Sequence, residues 1–117
     1  MGSKDQHLEL YNKNKKLANS TLISKDENRD WKITMIYYSI LHLLDSKYAD
    51  LSIHPNDHIE RKEVIQNCIS KNIYYTYKTL ENLSRQSRYD CIKMKSDDVL
   101  KAQQLADLIE ETLKKSN

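Results

Sequence analysis

Only one glycine and one proline occur among the 117 residues of this chain. Tight turns and hairpins depend heavily on these two residues, so their scarcity argues against a fold built from short strands. It also excludes the glycine-rich loops that hold phosphates in dinucleotide-binding and nucleoside-triphosphatase folds. We therefore predict an all-α protein, an antiparallel bundle of four to five helices, folded as a single domain over residues 1–117.

Apolar residues at helical spacing indicate where the helices lie. A capping-box pattern of Ser3 with Gln6 starts the first helix, which runs to about residue 20. This helix is expected to turn Leu10, Leu17 and the neighbouring Tyr11 and Ala18 inward. The next segment, residues 31–48, is apolar around most of its circumference. Three further helices are predicted, at residues 58 to about 70, from a cap at Asn72 to Tyr89, and from Ser96 to Lys115.

The apolar helix at residues 31–48 also carries a prediction about assembly. A small bundle buries one face of such a helix, and the opposite face then needs another partner. In a domain of this size, a second copy of the chain is the most economical partner. The sequence therefore predicts a homodimer, with Trp31 as a core or dimer contact.

Residues 55–61 place an imidazole and a guanidinium one turn apart at the start of a helix. Asp57 followed by Glu60 is a capping-box pattern, so His58 and Arg61 fall in a first turn whose free N–H groups and dipole attract anions. Both side chains also lie on the apolar stripe of this helix and point inward. They predict a phosphate site, with the alternative that Arg61 pairs with a buried carboxylate while His58 caps or packs.

The arginines are concentrated in two segments. Three of the four, Arg61, Arg85 and Arg88, lie in residues 58–61 or 84–89. A planar guanidinium can bind a phosphate through two parallel N–H groups, which lysine cannot do. Because the formal net charge is only +2 at pH 7, total charge alone does not identify a nucleic-acid-binding protein. The position of these arginines is what suggests an anionic ligand.

Signals for metals, disulfides and membranes are weak. The two cysteines lack the close spacing of a metal site. Cysteines without such spacing are typical of reduced thiols in a cytosolic protein. His54 and His58 are four residues apart, but Pro55 between them breaks the helix that would align the two imidazoles on one metal ion. No apolar run is long enough to span a membrane, and no signal-peptide pattern is recognisable. We predict a cytoplasmic protein with neither a metal nor a cofactor.

An ordered series of residues across the chain resembles one protein superfamily. The series is Asp30-Trp31, Tyr37-Tyr38, His42, His54-Pro55, His58 with Arg61, Tyr77, Leu80, Ser84 and Arg88-Tyr89. In combination it looks like the small stand-alone proteins of the HEPN superfamily, and it covers residues 26–113. The resemblance implies a dimeric bundle of four to five helices with a polar interface groove that, in many relatives, handles RNA or nucleotides.

The chain departs from the ribonucleases of that superfamily, which carry an Arg followed a few residues later by a His. Here His58 precedes Arg61, and neither Arg61, Arg85 nor Arg88 has a His at that downstream distance, so the catalytic motif is not carried over. The leading hypothesis is a non-catalytic dimeric module that binds the phosphates of single-stranded RNA or of a nucleotide. Its expected binding residues are His58, Arg61, Arg85, Arg88, Tyr38, Tyr89 and His42.

Several alternatives remain open. Tyrosines at helical spacing are more typical of core positions than of a ligand site. A metal-independent endoribonuclease of toxin or defence type would use His58 as acid or base and Arg61 to stabilise charge on the phosphorane. His42 is a spare candidate for proton transfer, against the alternative of a hydrogen-bonded core residue. By superfamily analogy alone, the chain would be a structural adaptor for a separately encoded nucleotidyltransferase.

Overall fold

The computed structural model describes residues 3–21, 25–50, 57–65, 71–89 and 93–115. The described residues form five α-helices and contain no strand, which confirms the all-α prediction. None of these helices is long and apolar enough to cross a membrane. In chain order the helices are α1 Lys4–Ala18, α2 Arg29–Asp50 after a short 3-10 turn at Asp26–Asn28, α3 His58–Val64, α4 Lys71–Tyr89 and α5 Ser96–Lys115. The predicted continuation of α3 to residue 70 lies outside the described residues.

Side-chain caps explain where two of the helices begin. The Ser3 hydroxyl accepts the Gln6 N–H at 3.2 Å, and the Gln6 side-chain oxygen accepts the Ser3 N–H at 2.8 Å, which is the predicted capping box of α1. At the start of α3, Asp57 accepts the N–H of Glu60 at 2.8 Å. The predicted cap at Asn72 is wrong, because α4 begins one residue earlier and Asn72 lies inside its first turn.

The inward face of α1 agrees with the prediction only in part. Leu10 and Leu17 are each 39% exposed, so the expectation that they face the core is wrong. The expected inward positions of Ala18, which is buried, and Tyr11, which is half-buried, are confirmed, and the half-buried His7 lies on the same side. These three residues recur every three to four positions or a multiple of that spacing, as one face of a helix requires. The polar side chains at the N-terminal end of this face can be half-buried because they pair with polar groups of other helices: His7 with His42 and Tyr11 with Glu110.

Helix α2 runs through the centre of the bundle and packs against α1, α4 and α5. Its small polar residues can be buried because each hydroxyl donates to a backbone carbonyl one turn earlier; they are Thr34, Ser39 and Ser46. The buried apolar residues of α2 are Ile33, Ile36, Tyr37, Ile40, Leu41, Leu44 and Tyr48. Contacts within one chain therefore bury most of the apolar circumference of α2, which was the basis of the dimer prediction. Trp31 remains 55% exposed.

Side-chain pairs show that α2 and α4 run antiparallel. Thr34 Oγ1 lies 3.3 Å from Ser87 Oγ near the end of α4, whereas Tyr37, further along α2, pairs with Tyr77 from an earlier turn of α4. Helix α1 is joined to α5 through Glu110, whose carboxylate accepts bonds from a tyrosine and a lysine of α1. This arrangement brings polar side chains of α2, α3 and α4 together inside the bundle.

Candidate functional site

Arg61 extends from α3 into the bundle and meets Asp45 of α2. Its Nε donates to Asp45 Oδ1 at 2.9 Å and its Nη2 donates to Oδ2 at 3.0 Å, and both residues are buried. Burial lowers the pKa of the Arg61 guanidinium, but the hydrogen bonds and negative charge of Asp45 outweigh this effect and leave that pKa raised. Arg61 is therefore held charged against its carboxylate, and the alternative of a buried carboxylate partner is confirmed.

A second buried polar group joins α2, α3 and α4. The hydroxyls of Tyr37 and Tyr77 are 2.8 Å apart, and the Tyr37 hydroxyl donates to Glu81 Oε2 at 3.4 Å. Lys62 of α3 pairs with the other oxygen of Glu81 at 2.9 Å. Burial is the main reason that the pKa values of both tyrosines are raised. Both hydroxyls stay protonated near neutrality and serve as hydrogen-bonding core groups.

Arg88, near the end of α4, lies between a serine hydroxyl and two aromatic rings. Its Nη1 donates to the hydroxyl of the buried Ser84 at 2.7 Å. Its guanidinium carbon lies 5.3 Å from the ring centroid of Tyr38 and 5.6 Å from that of Tyr37, within the range of a cation–π interaction. Arg88 is half-buried as a residue and its Nε is buried, and these contacts fix the plane of its guanidinium.

Two more side chains complete the surface around Arg88. Arg85, one turn earlier on α4, is exposed, and Tyr38 on α2 is half-buried. We call Arg85, Arg88 and Tyr38 the Arg88 surface. Its cationic groups lie in the last turns of α4, where the helix dipole also favours positive charge. A guanidinium fork beside an aromatic ring combines a phosphate donor with a platform on which a base can stack.

His42 has a hydrogen-bonding partner on α1. Its Nδ1 lies 3.2 Å from Nδ1 of His7, and the two rings are stacked with their centroids 5.5 Å apart. Burial is the main cause of the lowered pKa of His42; the charges of His7 and Arg61 lower it further, whereas Asp45 raises it. His42 is therefore a hydrogen-bonded, half-buried imidazole. This agrees with the alternative in which His42 is a hydrogen-bonded core residue.

The predicted binding residues do not form one cluster. Three of the seven make up the Arg88 surface. Two others, Arg61 and His42, interact with Asp45 and His7 respectively. The side chains of the remaining two, His58 and Tyr89, lie outside the described part of the chain, as do residues 54 and 55.

Four members of these polar groups were not predicted from the sequence: His7, Asp45, Lys62 and Glu81. For Asp45 a signal exists, because an aspartate in a helix that is apolar around most of its circumference requires a partner. His7 lies four residues before Tyr11 and thus on the true inward face of α1.

No protein-family model, curated protein or solved structure matches the chain. An all-α bundle is the fold that the resemblance to the HEPN superfamily implies.

Proposed function

We propose that this protein is a non-catalytic, HEPN-like dimeric module that binds nucleotide phosphates at the Arg88 surface. The phosphates belong either to single-stranded RNA or to a free nucleotide, which offer the same chemistry to an arginine. The observation that carries the proposal is the position of the Arg88 guanidinium, 2.7 Å from Ser84 Oγ and 5.3 Å from the Tyr38 ring. Ser84, Arg88 and Tyr38 also belong to the residue series that resembles the superfamily.

The contacts of Arg88 prepare it for an anion. A long arginine side chain loses rotamer entropy when it binds, and an arginine that is already fixed loses less. Here the bond to the buried Ser84 and the stacking on Tyr37 and Tyr38 hold the side chain before any ligand arrives. The planar fork then matches the geometry of two phosphate oxygens.

Arg85 and Tyr38 supply the remaining contacts in this proposal. The exposed Arg85 is one turn from Arg88 and adds a second positive charge that a phosphodiester backbone can follow. The half-buried ring of Tyr38 can stack a base next to that backbone. With few cationic contacts, binding should be moderate and sensitive to salt.

Arg61 supports the non-catalytic form of the proposal. In the nuclease alternative it would stabilise charge on the phosphorane, yet its Nε and Nη2 both donate to Asp45. Moving it onto a substrate would leave the Asp45 carboxylate buried and uncompensated, a change that typically costs about 3–5 kcal/mol. We therefore assign Arg61 to holding α3 against α2, and assign the phosphate to Arg88.

The dimeric part of the proposal is supported by a stripe on α2. Trp31 is 55% exposed, and Met35, one turn later, is only half-buried. The spacing of four residues puts these two side chains on one side of the helix, next to Tyr38 of the Arg88 surface. Packing this stripe against its equivalent in a second copy would bury the indole and bring two Arg88 surfaces to the rim of one interface.

Fluorescence anisotropy with a labelled single-stranded oligoribonucleotide tests the binding. Arg88→Lys keeps the charge but loses the planar fork, so we expect RNA affinity to fall about tenfold, which is the loss of roughly one charge-assisted hydrogen bond. Arg85→Gln should weaken binding, whereas the matched control Lys78→Gln, an exposed cation two turns earlier on α4, should not. Competition by ATP separates a free-nucleotide site from one that needs an RNA strand.

The same RNA separates the other hypotheses. We expect it to remain uncut in excess chelator. Cleavage that leaves a 2′,3′-cyclic phosphate and is abolished by His58→Ala would establish the endoribonuclease instead. If neither RNA nor ATP binds, and the protein captures a nucleotidyltransferase, the adaptor hypothesis replaces the proposal.

A further inference from the structure

We propose that His7, His42 and Asp45 form a binding site for a transition-metal ion such as Zn²⁺ between α1 and α2. The three residues each bring one ligand atom to a group in which all such atoms lie within 4.8 Å of one another. His7 belongs to α1, whereas His42 and Asp45 belong to α2, and the two histidines are 35 positions apart in the sequence. This site is independent of the proposed phosphate surface, because none of its ligands belongs to that surface.

The spacing of the two imidazoles suits one metal ion. Zinc binds histidine nitrogens at about 2.0–2.1 Å with tetrahedral angles, so two such nitrogens lie about 3.3 Å apart. The Nδ1 atoms of His7 and His42 are 3.2 Å apart. In the metal-free protein, one ring must donate a proton to the other at this distance. A cation allows both rings to present lone pairs in the same space.

Asp45 supplies the third ligand, already oriented by a neighbour. Its carboxylate is buried and accepts two N–H groups from Arg61 at 2.9 and 3.0 Å. A carboxylate oxygen that accepts one hydrogen bond retains a lone pair for a metal, and such outer partners commonly orient metal ligands. Arg61 also neutralises part of the carboxylate charge, so the site has to attract the ion mainly through its imidazoles.

This ligand set selects among cations. Two imidazole nitrogens and one carboxylate oxygen suit zinc, cobalt, nickel or copper, whereas magnesium and calcium prefer sites made of oxygen ligands. Three protein ligands leave a further position for water. The bound ion would join the N-terminal half of α1 to the middle of α2 and strengthen the attachment of α1 to the bundle.

Calorimetric titration of the untagged protein with Zn²⁺ tests the site. We expect one ion per chain, a melting temperature raised by Zn²⁺ but not by Mg²⁺, and a tetrahedral absorption spectrum when Co²⁺ replaces Zn²⁺. His7→Gln should reduce Zn²⁺ affinity by about tenfold or more, because it removes one of three ligands. His58→Gln is the matched control and should leave the titration unchanged.

The possible outcomes are distinguishable. His7 is half-buried near the start of α1, so helicity and melting of His7→Gln without metal will show whether the variant is folded, and His42→Gln provides a second variant. Absence of stoichiometric Zn²⁺ binding by the wild type would overturn the proposal. So would binding that survives both His7→Gln and His42→Gln, or that is lost in His58→Gln.

Discussion

The buried ion pair between Asp45 and Arg61 allows a quantitative prediction about stability. Asp45→Asn preserves the shape of the side chain but removes its charge, and so removes the ionic acceptor of two N–H groups of the buried Arg61 guanidinium. Two N–H groups, now at 2.9 and 3.0 Å from carboxylate oxygens, lose their ionic acceptor. Breaking a buried pair of this kind costs about 3–5 kcal/mol.

This loss should be large in two measurements. A chain of 117 residues loses about 4 °C of melting temperature per kcal/mol, so the midpoint should fall by roughly 12–20 °C. Urea unfolding followed by circular dichroism measures the free energy directly, and the dependence on urea should keep its slope. Asp107→Asn is the matched control: this residue is exposed on α5, and its change should stay within about 0.5 kcal/mol.

A double variant separates the charge effect from a general intolerance of the site. Asp45→Leu combined with Arg61→Met replaces both charges with apolar side chains and should recover most of the lost stability, since buried pairs are often replaceable in this way. A loss below about 1 kcal/mol in Asp45→Asn alone would refute the reasoning, because Arg61 would then have another way to satisfy its charge.

Three further outcomes are expected. Burial raises the pKa of Tyr37 and Tyr77, so the stability that these tyrosines contribute is complete below the ordinary tyrosine pKa of about 10 and is lost as pH rises through and above that value. Ultraviolet titration should show the two tyrosines ionising only when the protein unfolds, and their free titration near pH 10 would contradict this. Sedimentation should give about twice the chain mass of 13.9 kDa, and Trp31→Glu should shift the protein to monomer; a monomeric wild type would remove the dimer from the proposal. RNA affinity should fall with salt at a slope corresponding to roughly two to five phosphates, whereas affinity unchanged at high salt would argue for a protein ligand.

Local sequence information was sufficient to predict where the helices lie. The scarcity of glycine and proline, the Ser3 capping box and the apolar spacing in α4 and α5 are properties of neighbouring residues, and the structure agrees with them. The residues that share a face at helical spacing in α4, Ile73, Tyr77, Leu80, Leu83 and Ser84, are all buried. In α5 the corresponding series begins with Val99, which is half-buried, and continues with Ala102, Ala106, Ile109 and Leu113, which are buried.

Long-range pairing was harder to predict because it depends on how the helices pack. Arg61 was expected to face inward, which is correct, but the sequence left open whether it would meet a phosphate or a carboxylate. That choice depends on Asp45, sixteen positions earlier on another helix. The pair of His7 and His42 was missed for the same reason, since only the packing of α1 on α2 brings the two rings together.

The relative effects of Arg88→Lys and Arg61→Lys on affinity for one labelled single-stranded RNA test the central claim most directly. We predict that Arg88→Lys weakens binding about tenfold and lowers the melting temperature less than Arg61→Lys does, because the lysine keeps the positive charge at a half-buried position. Arg61→Lys should lower the melting temperature because it loses the bidentate bond to Asp45, while affinity measured below that temperature stays within about threefold of wild type. The reverse order, with weak binding by folded Arg61→Lys and normal binding by Arg88→Lys, would contradict the account and assign the phosphate to Arg61.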